Sequence, residues 1–134
     1  IPAAQSSVNA IIFLAPISTF DQALVEDPHV NRLEDSLLLW NSIVSNKLLR
    51  NVNIILFLNK CDLLQAKLDA GVRLNQHMIS YGDRLNDTTL FQVVLLYFRN
   101  KFSALHQSHT PNRERELYIH LTSVTDIQRT HAII

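Results

Sequence analysis

A chain of 134 residues has the length of one domain, with room for a single buried core and not for two. Apolar residues make up 47% and charged residues 18%, and twelve Lys and Arg balance twelve Asp and Glu, so no net field favours nucleic acid or an acidic membrane. No apolar run approaches the roughly 18 residues that span a bilayer, and the single cysteine, Cys61, rules out an internal disulfide and fits a reducing, intracellular setting.

Val8 to Ala15 is a short run rich in β-branched and aromatic residues, closed by Pro16. It predicts a strand buried on both faces, as in a parallel sheet. Asp27 before Pro28 predicts an N-cap with proline at the first helical position. Val30, Leu33, Leu37, Trp40, Val44 and Leu48 then recur at helical steps. They predict an amphipathic helix of about five turns, with Asn31, Glu34, Asp35, Asn41 and Ser45 on its wet side. A second buried strand is expected over Val52–Leu58, ending in Asn59-Lys60-Cys61-Asp62.

A short helical piece is expected near Leu63–Leu68, then a loop holding Gly71 and Gly82, the only glycines in the chain. Asp87 is placed to cap a helix whose apolar face is Phe91, Val94, Leu95, Phe98, Phe102 and Leu105. His106 to Glu116 is polar and contains Pro111, the pattern of a surface loop. Leu117–Leu121 predicts a third strand. Thr122-Ser123-Val124-Thr125 turns into a last helix, for which Thr125 and Gln128 stand at capping-box spacing. Strand and helix alternate throughout, which predicts a three-layer α/β fold, a parallel sheet of about three strands with helices on both faces.

In such sheets ligands bind outside the carboxyl ends of the strands. Asn59–Asp62 and Thr122–Thr125 both fall there. Asn-Lys-x-Asp after a buried strand suits the recognition of guanine. The base presents N1–H and its N2 amine side by side, and the carboxylate of Asp62 can accept both as a charge-assisted pair. Adenine lacks that donor pair and leaves the carboxylate unsatisfied. Asn59 can donate its amide to N7 and tie the two loops together, while Lys60 lays its methylene stem along the purine face. Backbone N–H groups at Ser123 and Val124, ahead of a helix, can point at O6.

These segments resemble the C-terminal part of the Ras-like, P-loop-NTPase-like domain of heterotrimeric G-protein alpha subunits. V-N-A-I-I-F-L-A-P-I-S at Val8–Ser18 resembles the family's strand after switch II. N-R-L-E-D-S-L-L-L-W at Asn31–Trp40 and S-N-K-L-L at Ser45–Leu49 resemble its third helix. I-I-L-F-L-N-K-C-D-L at Ile54–Leu63 resembles its guanine-specificity strand and loop, and L-Y-I-H-L-T-S-V-T-D at Leu117–Asp126 its last strand and T-C-A-T loop. The L-A-P-I-S and N-K-C-D variants look most like fungal members. Residues 8–134 therefore read as a partial Ras-like domain, its guanine-recognition half, with 1–7 unmatched and Gly71–Asn86 only loosely similar.

The resemblance implies a GTPase switch in receptor-coupled signalling. Its expected ligands are GTP and GDP, with Mg2+ only in the full-length parent. Its expected partners are the beta-gamma complex, a G protein-coupled receptor and effector enzymes, and not nucleic acid. The parent would lie at the cytoplasmic face of the plasma membrane. The loop Asn46–Asn51 is implied to sit near effector surfaces, and the loop at Arg113–Glu116, otherwise a solvated edge, near the receptor.

Three features depart from the family pattern: Val124 replaces an alanine and crowds O6, Cys61 stands where a polar residue is usual, and the last helix ends after about nine residues. The chain begins at Ile1 and stops inside an apolar pattern, so the expectation is a segment of something longer. The family's G-x-x-x-x-G-K-[ST] phosphate loop, its catalytic arginine and glutamine and its magnesium ligands are expected before it. The segment alone is then expected to be inactive, with no catalytic residue of its own. The alternative is a truncated or degenerate pseudo-GTPase acting as a protein-interaction module.

Among other candidates, His106 and His109 have helical metal spacing but no third ligand, so no metal site is expected. Ser18 and Thr19 lack the glycines of a nucleophile elbow. Trp40 reads as core, His120 as a packed strand histidine, and Cys61 as an inert neighbour of Lys60.

Overall fold

The computed structural model describes residues 10–78, 81 and 91–123. The last helix with its Thr125–Gln128 capping box, the cap at Asp87, Gly82 and Val124 lie outside the described residues.

Three parallel strands form the sheet, in the order β1 (Ala10–Pro16), β2 (Asn53–Asn59) and β3 (Leu117–Leu121). Ala10 pairs with Asn53 through to Pro16 with Asn59, and Ile54 with Leu117 through to Leu58 with Leu121. Between them run helices α1 (Arg32–Val44), α2 (Cys61–Asp69) and α3 (Phe91–His109). The fold is thus α/β with a parallel sheet, as the alternation predicts.

The core lies on one side of the sheet. Phe13, Ala15, Ile54, Leu56 and Leu58 are buried there with Leu33, Leu37, Trp40 and Val44 of α1 and Val94, Phe98 and Phe102 of α3. Burying each large apolar side chain contributes about 1.5–3 kcal/mol before entropy is subtracted. Trp40 ties the layers together: its ring meets Phe13 and Phe102 edge-on at 5.1 and 5.6 Å, and its Nε1–H donates to the Phe102 carbonyl at 2.9 Å.

The opposite side of the sheet is different. β1 is expected to be buried on both faces, but Ile12 and Leu14 are 62% and 53% exposed. Successive strand residues face opposite ways, and α1 and α3 cover only the Phe13 side.

Two helix boundaries differ from expectation. Asp27-Pro28 forms an Asx turn, with Asp27 Oδ1 accepting from the His29 N–H at 3.0 Å, and the N-cap is Asn31. Asn31 Oδ1 accepts from the N–H groups of Leu33 and Glu34, while its Nδ2 donates to the carbonyls of Phe20 and His77. Four hydrogen bonds at one residue outweigh what Asp27 offers. At the other end α1 stops at Val44, and Leu48, expected on the buried face, is 88% exposed on a 3-10 turn.

The stretch 106–116 is also corrected. α3 continues to His109, and His106 and Arg115 are buried at 7% and 6% exposure. Arg115 donates from Nη2 to the Val44 carbonyl at 2.7 Å, from Nη1 to the Leu49 carbonyl at 2.9 Å and from Nε to His106 Nε2 at 3.3 Å. Val44 ends α1, so its carbonyl has no helical partner and carries the negative end of the helix dipole. A guanidinium satisfies that end, which draws this residue of the Arg-Glu-Arg-Glu run inward.

Candidate functional site

Strand β2 delivers Asn59 to the carboxyl edge of the sheet, and the chain must then turn sharply into α2. It does so at Lys60, whose φ of 63° and ψ of 40° are left-handed, the only positive φ at a non-glycine residue among those described. That conformation costs about 1–2 kcal/mol for a residue with a Cβ. Asn59 Oδ1 accepts from the Lys60 N–H at 2.8 Å, and the Lys60 carbonyl accepts from Leu63 and Leu64, both at 3.1 Å, which holds the turn in place.

The second loop is bound to the first through Thr122. Its N–H donates to the Leu58 carbonyl at 3.0 Å, its carbonyl accepts from the Cys61 N–H at 3.0 Å, and its Oγ1 donates to Asn59 Oδ1 at 3.3 Å. Ser123 follows directly, half-buried. Asn59 therefore does link the two loops, through its oxygen, while its Nδ2 donates to no partner among the described residues. Thr122 is the functional residue that sequence reasoning misses: its pattern marks only the start of a turn, and its pairing with a residue 63 positions away has no local signal.

Asp62 stands in the first turn of α2, exposed, where the helix dipole favours an anion. Its carboxylate has no hydrogen bond or ion pair among the described residues. Cys61 is half-buried, its Sγ–H donating to the Leu58 carbonyl at 3.2 Å. Thus Asn59, Lys60, Asp62 and Ser123 gather at one end of the sheet, while Val124 lies outside the described residues. Lys60 also lines a cleft of about 390 Å3 with Thr19, Arg32, Leu63 and Lys67. Asn59 and Asp62 do not line it.

Around the site, α2 is braced by Lys67, whose Nζ donates to the Ser18 carbonyl at 2.5 Å and to Asp21 Oδ1 at 2.6 Å. At its far end Gly71 adopts φ 91°, and the Gly71 and Val72 N–H groups return to the Leu68 and Lys67 carbonyls. That is a Schellman stop, and it fixes where the helix bearing Asp62 ends. Thr19 Oγ1 donates to the Pro16 carbonyl at 2.7 Å, which turns its hydroxyl onto the backbone of its own strand end. His120 lies exposed, stacked on Phe57 at 5.5 Å.

Comparison with known proteins places this geometry in context. The sequence model of the family described as G-protein alpha subunit matches residues 2–134. The chain is 45% identical over 134 aligned residues to the guanine nucleotide-binding protein alpha-4 subunit of Mycosarcoma maydis, covering 95% of this chain and 22% of that protein. It is 37% identical to the alpha-2 subunit of Neurospora crassa, covering 90% of this chain and 32% of the relative. To subunit alpha-13 of Mus musculus it is also 37% identical, covering 95% and 32%. The chain thus spans about a fifth to a third of the length of these relatives.

Proposed function

The chain belongs to the G-protein alpha subunit family, and from that premise we propose that it reads the guanine base of GTP or GDP within a GTPase switch of receptor-coupled signalling. The observation that carries the reading is the joined pair of loops at the carboxyl edge of the sheet, with Asn59 bonded to Thr122 and the Asp62 carboxylate left exposed beside them.

Each residue has a distinct part. Asp62 accepts from guanine N1–H and N2–H together. Asn59 spends its oxygen on the Lys60 N–H and Thr122 Oγ1, which leaves its amide nitrogen as the donor for N7. Lys60 lays its stem on the purine face with its ammonium in water. Ser123 and Val124 supply N–H groups toward O6. A pocket that hydrogen-bonds its base in this way rejects one lacking the matching donors by up to roughly 10⁴–10⁵.

The rest of the switch is a proposal for the longer protein. These 134 residues include no G-x-x-x-x-G-K-[ST] loop, so this segment's share is base recognition, and phosphate transfer needs positioning and charge from elsewhere. Among the described residues no three His, Cys, Asp or Glu side chains are grouped to hold a metal. Magnesium is proposed only for the longer protein, held by residues that this segment does not supply. Receptor, beta-gamma complex and effector are the partners proposed for the parent at the cytoplasmic face of the plasma membrane. No described helix is long and apolar enough to cross a membrane.

Asp62→Asn tests the assignment. The amide accepts from N1–H but donates where guanine also donates, whereas xanthine offers a C2 carbonyl. The variant is expected to bind xanthosine diphosphate at least tenfold more tightly than GDP, reversing the parent's order. An unchanged preference for GDP would overturn the role of Asp62.

A further inference from the structure

We propose that the cleft between α3 and the loop leading into β3 binds a small phosphate-bearing anion. The cleft encloses about 480 Å3, within the range of small-ligand sites. It lies apart from Asn59–Asp62, and none of those residues lines it. Three guanidinium groups do, those of Arg99, Arg113 and Arg115, and no carboxylate among the described residues. Arg99, Ser103 and His106 follow one another at steps of four and three, so they share one face of α3.

Arg115 distinguishes this cleft from a solvated basic rim. It is 6% exposed, and its three hydrogen bonds end on the neutral acceptors Val44 O, Leu49 O and His106 Nε2. A guanidinium has five N–H donors, so two remain without a partner among the described residues. Burial, reinforced by the charge of Arg115, pushes the His106 imidazole below its ordinary value and keeps it a neutral acceptor. The positive charge is therefore buried without an opposite charge bonded to it among the described residues. Arg99 and Arg113, both exposed, likewise have no hydrogen bond or ion pair among the described residues.

Guanidinium groups match phosphate oxygens in pairs of parallel hydrogen bonds, and Ser103 and Gln107 on the same wall add neutral donors. The C-terminal carbonyls of α3 oppose an anion beside His106 and Gln107, whereas Arg99 and Ser103 stand one to two turns back, where that effect has faded. The Thr110 N–H already takes the His106 carbonyl at 2.9 Å. With a formal net charge of zero, the chain has no overall positive field to draw a polyanion, which favours a small phosphate or phosphomonoester.

The test is an NMR titration of the 134-residue chain with inorganic phosphate and, separately, with glycerol 3-phosphate, against sodium chloride at equal ionic strength. Saturable shifts of the amides over 103–113 are expected with both phosphates and not with chloride, and the tighter probe tells free phosphate from an ester. Arg99→Gln combined with Arg113→Gln leaves the buried Arg115 in place and is expected to weaken binding at least tenfold. Arg73→Gln, exposed and elsewhere, is expected to leave it within twofold. Shifts that rise without saturating, that centre on residues 59–62 instead, or that weaken equally in Arg73→Gln would overturn the proposal.

Discussion

Asn31 shows how much one side chain can hold in this fold. Its oxygen caps α1 and its nitrogen reaches two carbonyls, of Phe20 and of His77, the latter 46 positions away. Asn31→Ala removes the cap and strands both carbonyls, so a loss of about 2 kcal/mol is expected in urea unfolding; a loss below about 0.5 kcal/mol would contradict that account. His106 makes a prediction in pH. Its folded value lies below the ordinary 6.5, so the unfolded chain takes up the proton first. Stability is then whole above pH 6.5 and falls as pH drops from there toward the folded value. His106→Gln is expected to flatten that slope, and a slope unchanged in the variant would assign it to other groups. The helix boundary at Asn31 and the burial of His106 and Arg115 were both hidden in the sequence for the same reason. Asp27-Pro28 and Arg-Glu-Arg-Glu carry local signals of a cap and of a solvated loop, whereas the partners that decide their fate are carbonyls at Phe20, His77, Val44 and Leu49, supplied by distant segments.

At the scale of elements, strand identity was legible and strand exposure was not. Leu117–Leu121 forms β3 with the bounds its pattern predicts, and the Asn53–Asn59 strand lies one residue from its expected place. An apolar run specifies a strand; which of its faces is covered depends on helices that pack from elsewhere. Helix α2 shows the complementary case. Its weak pattern over Leu63–Leu68 belongs to a helix running Cys61–Asp69, fixed at one end by the left-handed Lys60 and at the other by Gly71. Open space surrounds the Gly71 Cβ position, so Gly71→Ala meets no clash and suffers only the backbone cost. The expected loss is about 1–2 kcal/mol, partly recovered by Gly71→Asn, since asparagine tolerates this conformation better than alanine. Equal stabilities for the alanine and glycine forms in thermal unfolding would show that the left-handed turn is not what stops the helix.

At the scale of the whole molecule, one side of the sheet is a packed core and the other carries Ile12, Leu14 and Tyr118, at 62%, 53% and 44% exposure among the described residues. Among the described residues β1 also has no strand on its outer edge. An apolar face beside an open edge pairs readily with a second copy, so the chain is expected to self-associate in sedimentation velocity. Ile12→Lys with Leu14→Lys is expected to return it to monomer, while association persisting in the variant would place the contact elsewhere. The proposed guanine site is readable from the sequence because Asn59, Lys60 and Asp62 fall within four consecutive residues at the end of a strand. The bond from Thr122 that joins the loops was not legible, since strand pairing alone brings it there. The central claim is that these loops read guanine, and the NMR shifts of the amides at residues 59–62 on titration with GDP against ADP test it most directly. The account predicts that GDP shifts these amides near millimolar, about 4 kcal/mol of binding, and that ADP, whose phosphates are drawn to the arginine-lined cleft instead, leaves them in place. Equal responses to both, or none to GDP, would contradict it and leave the interaction module as the better description of the chain.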